Sequence, residues 1–431
     1  MDYTRFLNYY GIGVKPPPIR GLADLLTSDT EASASIGCPN TATFPFNGAT
    51  FNLKDGTEIT LTEDDMDIAL QYGKTQGMDG LVDILVKMQC DEHHPPTASH
   101  ETGESKMAVL VAPGSTMSLA TFAMICSREN IPIISTVPAY LFIGFPLSDL
   151  LSNYLSVDMD ADGAKPSTLR KVLSRWTPED AKNPESGIPR ILWLNPCCNN
   201  PCGVNTSLPR RKEIYSIAQE YNLIIVEDDP YYYLQESQPR IPSYLSLDVD
   251  GRVLRFDSFS KLVAPGLRLA FITGPQKLVT KIQLVFMQSI QMTNGLAQIL
   301  VCKLLKQWGR TGFEEHMQGV VKLLREKRLF ALGLADKWLT GLAEWNVPRD
   351  GMFIFFKVYG TGLTSEELNQ KLVETAQVIL VPASMFYPRG AELKDVAVLR
   401  VSVAMASSES MEKVFEGLSK VIRTAREKHS A

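Results

Sequence analysis

No apolar run in this sequence approaches the roughly 18 residues that cross a bilayer as a helix, so no membrane span is expected. Basic residues do not predominate. The 43 Lys and Arg stand against 48 Asp and Glu, a formal net charge of -5, which argues against a nucleic-acid partner. The opening MDYTRFLNYYGIGVKPPPIR has no continuous apolar segment and carries acid at position 2, so it lacks the pattern of a secretory signal. It holds Arg5, Lys15 and Arg20 against one acidic residue, which keeps an organellar presequence open. The expected compartment is the cytoplasm, with the mitochondrial matrix as the alternative. Matched cysteine pairs are missing too. The seven cysteines are odd in number and irregular in spacing, as expected of reduced thiols inside a cell. Cys197, Cys198 and Cys202 cluster, and His93, His94 and His100 lie near Cys90. Neither group has the second matching pair that a zinc site wants, so no metal is expected.

What is present is an ordinary globular composition, 45% apolar and 21% charged, in a chain of 431 residues. That length exceeds one simple core and predicts two domains. There is no internal repeat. The segments 91–105 (DEHHPPTASHETGES) and 182–189 (KNPESGIP) read as surface loops. Between them, short apolar runs alternate with helical patterns. KMAVLV at 106–111 precedes a helical stretch at 116–128, and ILWL at 191–194 precedes one at 209–221. LIIV at 223–226, 253–256 and 269–272 read as further strands. Strands separated by helices imply an α/β fold with a mostly parallel sheet between helices. After about residue 310 the pattern changes to a long amphipathic helix at 313–340, strand-like runs at 352–358, 378–381 and 396–403, and a closing helix near 409–427. This predicts a smaller α+β C-terminal domain.

Open α/β sheets bind ligands at the carboxyl ends of their strands. Four such ends carry polar residues here. Gly114-Ser115-Thr116 opens a helix, where free N–H groups suit an anion, although Ser and Thr also serve as plain N-caps. Asn200, in NNPCG, offers a hydrogen-bond donor, or simply a tight turn. Glu227-Asp228-Asp229 follows LIIV. A carboxylate there can hold a cationic ring nitrogen, while Asp229 ahead of Pro230 also fits a helix cap. Ser258-Phe259-Ser260-Lys261 ends a strand, with Arg268 seven residues on. A buried amine loses its proton readily and becomes a nucleophile, though a surface lysine is the plainer reading. Anion groove, donor, carboxylate and lysine in that order are the parts of a pyridoxal phosphate site.

At these residues the chain resembles the fold type I aminotransferases that depend on pyridoxal 5′-phosphate. NNPCG, EDDPYYYL and DSFSKLVAPGLR carry the resemblance. RFLNYYG, PPPIR, LSRWTPEDAKNP, SLDVDGRV and ADKWLTGLAEWNVP resemble the kynurenine/α-aminoadipate aminotransferase subgroup. The resemblance implies a large domain with a seven-stranded sheet (46–310), a small domain (311–431) and an N-terminal substrate-covering segment (1–45). It implies Lys261 as the covalent attachment point and proton shuttle, and Asp228 as partner of the ring nitrogen. Tyr231 and Asn200 would bond the ring O3′, and Tyr140 would stack on the ring. Ser115, Thr116, Ser258, Ser260 and Arg268 would hold the phosphate, with Tyr72 reaching it from the other subunit of a homodimer. Arg400 would grip the substrate α-carboxylate. Arg20 and Gly37 would lie on the segment that covers the substrate. The implied activity moves an amino group from an aromatic amino acid, kynurenine or 2-aminoadipate to a 2-oxo acid such as 2-oxoglutarate.

The chain departs from the family pattern in places. Cys202 stands where Thr is usual, Cys197-Cys198 replace other residues, and Ser115-Thr116-Met117 replaces Ser-Gln-Gln. Val137 stands where the subgroup often has an acid, and bulky Leu141-Phe142-Ile143 follow Tyr140. These changes surround the ring and pocket wall and bear on substrate choice. A decarboxylase, β-lyase or oxidase of the same fold is a second reading, and Arg400 argues for transamination instead. A cofactor-binding regulator is a third. Such proteins usually add a DNA-binding domain, and none precedes Tyr3.

Overall fold

Among the strands, β7 (Ile191–Leu194), β8 (Ile224–Asp228), β9 (Val253–Ser258) and β10 (Ala270–Pro275) are buried at every position, the mark of strands covered on both faces. They belong to a computed structural model that describes residues 1–18, 37–128, 130–140, 153–387 and 396–430. Alternation along each strand sorts its side chains between two cores. Ile191, Trp193, Val226 and Phe256 join Phe122 on one face. Leu192, Leu194, Ile225 and Val253 join Ile214 and Ile217 on the other.

With β3 (Met107–Ala112), β4 (Ile133–Val137), β5 (Tyr154–Asp160) and β6 (Gly163–Ala164), these strands form one sheet in the order β3-β10-β9-β8-β7-β4-β5-β6. The run from β9 to β5 is parallel, and β10 is antiparallel to both neighbours. The sheet therefore has eight strands, not the seven expected. The addition is the two-residue β6, which folds back antiparallel on β5 through Gly163, at φ +86°. Helices Ser115–Cys126 and Leu208–Glu220 return the chain after β3 and β7, so the ends of β3, β7, β8 and β9 meet on one side.

A hairpin of β1 (Ala49–Asn52) and β2 (Glu58–Leu61) precedes this sheet. After it, helix Gly295–Leu339 runs through the expected boundary near residue 310, with a break at Gly309 (φ 57°, ψ -164°). Then β11 (Ala343–Trp345), β12 (Phe353–Tyr359), β13 (Val381–Pro382) and β14 (Val396–Ser402) form an antiparallel sheet in the order β11-β12-β14-β13. It shares a core with the large sheet's domain, since Phe353 and Phe356 cluster with Tyr231, Tyr233 and Phe259.

Two expectations need correction. Residues 91–93 are not loop but the end of helix Asp79–His93, whose Leu81, Leu85, Gln89 and His93 are buried at helical spacing. His93 shares a hydrogen bond with Ser243 Oγ at 2.9 Å, and the surface loop begins beyond it. The run at 378–381 pairs only at Val381–Pro382, because Gln377 caps the preceding helix in the left-handed conformation.

Candidate active site

The strand ends converge on a cleft of about 430 Å³. One end is built for an anion. Ser115 and Thr116 begin their helix behind Gly114 without any side-chain cap, so they are not the plain N-cap, and both line the cleft. Gly114 holds φ +101°, and a Cβ there would sit 2.3 Å from Arg268 Nη2. Arg268 makes no ion pair among the described residues. Ser258, whose Oγ accepts from Ser260 N at 3.2 Å, and Ser260 complete this end.

The middle is polar and buried. Asp228 is buried at the end of β8, and burial, then the adjacent Asp229, push its carboxyl up to about 7, against a hydrogen bond from Trp193. No cation pairs with it among the described residues. Tyr231 accepts from Asn200 Nδ2 at 3.4 Å. Burial raises the Tyr231 phenol, so it stays protonated and able to donate. Tyr140 lies on the same wall.

Lys261 and Arg400 face this middle. Burial, and secondarily Arg400, lower the Lys261 ammonium, which favours the neutral amine. Arg400, on β14, donates from Nη1 to Asn200 Oδ1 at 2.8 Å. Its guanidinium lies 4.7 Å from the Phe353 ring and 5.2 Å from the Phe386 ring. Its Nε is buried and has no hydrogen-bond partner among the described residues.

Behind Asp228 lies a charge cluster that the sequence reading did not foresee. Arg255, fully buried, reaches Glu227 at 3.2 Å, Asp229 at 3.2 Å and Asp257 at 2.8 Å. Asp229 is thus an ion-pair member rather than the helix cap its place before Pro230 suggested. This guanidinium, and Arg211 nearby, compensate the three buried carboxylates, and Glu227 also accepts from the backbone N–H groups of Tyr244 and Leu245.

The cleft gathers Ser115, Thr116, Tyr140, Asn200, Asp228, Tyr231, Ser258, Ser260, Lys261, Arg268 and Arg400. Tyr72 and Gly37 are exposed and outside it. Arg20 and Leu141-Phe142-Ile143 lie outside the described residues. The sequence reading missed Asn195, which lines the cleft immediately after β7, the same strand-end position that pointed to the others.

The arrangement is matched by the family model for aminotransferase class I and II over residues 177–418, a span that holds Asn200, Asp228, Tyr231, Lys261 and Arg400. The chain belongs to the class I and II aminotransferases. It is 36% identical to the kynurenine/alpha-aminoadipate aminotransferase, mitochondrial, of Mus musculus over 98% of this chain and 99% of that one. The protein of that name from Bos taurus is 37% identical over the same shares. Aminotransferase Aro8 from Candida albicans superposes with a TM-score of 0.85 over 99% of each chain at 24% identity, a likeness of fold alone. The residues of this aminotransferase fit pyridoxal 5′-phosphate. The uncapped helix start beside Arg268 suits a phosphate, Asp228 lacks only a cation, and Lys261 presents a half-buried amine.

Proposed function

We propose that this aminotransferase moves an amino group from an aromatic amino acid, kynurenine or 2-aminoadipate to a 2-oxo acid such as 2-oxoglutarate. The donors follow from the relatives' names and from the subgroup motifs in this sequence. The observation that carries transamination over decarboxylation or elimination is Arg400. A guanidinium that lines the same cleft as Lys261, held by Asn200 and between the Phe353 and Phe386 rings, suits keeping an α-carboxylate rather than losing it.

Bound pyridoxal 5′-phosphate supplies the electron sink for negative charge at the amino acid's Cα. The chain's own groups do the rest. Lys261 Nζ would hold the cofactor covalently and would serve as general base for the Cα proton. Its lowered ammonium pKa suits both tasks. Asp228 would keep a proton on the ring nitrogen, Asn200 and Tyr231 would donate to the ring O3′, and Tyr140 would hold the ring face. Ser115, Thr116, Ser258, Ser260 and Arg268 hold the phosphate. Arg400 and Asn200 hold the substrate carboxylate, and Arg20 and Gly37 belong to the segment that covers it.

A homodimer completes the site, with Tyr72 reaching the phosphate of the neighbouring copy. Tyr72 is exposed, as is Ile68 four residues before it, which suits an interface. We assign residues 1–45, 46–310 and 311–431 as covering segment, large domain and small domain, the last division falling beside the break at Gly309. The proposed compartment is the cytoplasm, with the mitochondrial matrix as alternative because the relatives are named mitochondrial. No helix among the described residues is long and apolar enough to cross a membrane.

The test is a half-reaction. Purified enzyme is mixed with L-kynurenine, L-2-aminoadipate or L-tryptophan without an acceptor. Conversion of the cofactor to its amine form, with the matching oxo acid, is expected from wild type and not from Lys261→Ala. Carbon dioxide release, or turnover retained by Lys261→Ala, refutes the reading.

A further inference from the structure

The parallel ladder between β7 and β8 ends at Leu194 opposite Glu227. Two residues on stands Pro196, which has no amide proton to extend it. The side chain of Asn195 makes the next connections instead. Its Nδ2 donates to the carbonyl oxygen of Asp228 at 2.5 Å. Its Oδ1 accepts from the backbone N–H of Asn200 at 2.8 Å. Its own carbonyl accepts from Asn199 Nδ2 at 3.1 Å, which ties the same turn a second time. Only one orientation of the carboxamide satisfies both ends, since one faces a carbonyl and the other an N–H.

The two residues joined in this way carry different halves of the chemistry. Asp228 faces the ring nitrogen. Asn200 touches Tyr231 at 3.4 Å and Arg400 at 2.8 Å. Asn195 lines the cleft between them and commits one bond of its Nδ2 and one of its Oδ1 to the backbone at the two ends. We infer that Asn195 is a positioning residue, a clamp that sets the Asn200 turn at a fixed register against the end of β8. The ring-nitrogen acid, the O3′ donors and the carboxylate-binding arginine thereby share one frame. This rests on the site roles proposed above.

Loss of the clamp frees the Asn200 turn, so both the O3′ donors and the Arg400 contact loosen together. The holoenzymes of Asn195→Leu, which keeps the branched shape without polar atoms, and Asn195→Ser, which leaves room for water, are compared with wild type. The pH midpoint of the visible cofactor band should rise by roughly half a unit or more, the worth of a weakened hydrogen bond to the phenolate oxygen. The amino-acid KM should rise about tenfold with a smaller fall in kcat, as the carboxylate site loses its geometry. A lower melting temperature with band midpoint and KM unchanged in either variant overturns the inference. So does failure of both variants to fold or to hold cofactor, because Asn195 then serves the fold only. Absence of a pH-dependent band from wild type, or its persistence in Lys261→Ala, instead overturns the site assignment itself.

Discussion

Asp228→Asn separates what the carboxylate costs the protein from what it does for the cofactor. Burial and Asp229 push the Asp228 carboxyl from 3.8 to about 7. The shift of about three pH units corresponds to about 4 kcal/mol. Its sign is destabilising. From about pH 4 to pH 7 the folded protein holds a proton on Asp228 that the unfolded chain has released, so stability falls across that window and the full penalty stands above it. A neutral amide of the same shape removes this penalty. Cofactor-stripped Asp228→Asn should therefore be more stable than stripped wild type at pH 8, and the gap should narrow by roughly 2 to 3 kcal/mol on going to pH 5. Binding should move the other way. The charged ring nitrogen loses its counter-ion, so pyridoxal 5′-phosphate affinity should drop and half-reaction rates should fall by orders of magnitude. Denaturant melts of stripped protein at the two pH values, with cofactor titrations alongside, measure both. A stability difference independent of pH, or unchanged cofactor affinity, refutes the reasoning.

Gly114→Ala places a methyl 2.3 Å from Arg268 Nη2 at a backbone φ of +101°. It should cost about 1 kcal/mol or more in strain and weaken cofactor binding about tenfold, read by equilibrium dialysis. Arg400→Lys keeps the charge and loses the planar fork between Phe353 and Phe386. We expect kcat/KM for amino acids to fall about a hundredfold, mainly through KM, with the cofactor spectrum unchanged. Arg255→Met strands Glu227, Asp229 and Asp257 without their cation. Stability should fall by about 3–5 kcal/mol in urea melts at neutral pH, with partial recovery as acid protonates them.

The strands of the large sheet were legible because a strand buried on both faces reads as an uninterrupted apolar run, and LIIV and ILWL are such runs. The polar residues just beyond them were legible for the converse reason, since Asp228 and Lys261 are costly where they stand unless they act. β6 was not, because two residues carry no period. The helix through His93 was missed because its buried face ends in Gln89 and His93, polar types that match a loop until their partners are known.

By itself the sequence offered the inventory and its order: small-residue turn, amide, carboxylate and lysine, each after an apolar run, with Arg400 inside a later one. Which of them meet was decided only by the tertiary structure. Arg400 and Asn200 bond across 200 positions of chain. Arg255 gathers acids from two strands, and Asn195 joins two strand ends in place of a backbone rung. Side-chain period and local turn chemistry act over a few residues. A contact between distant segments depends on how layers stack and which strands are neighbours, and no local pattern records that.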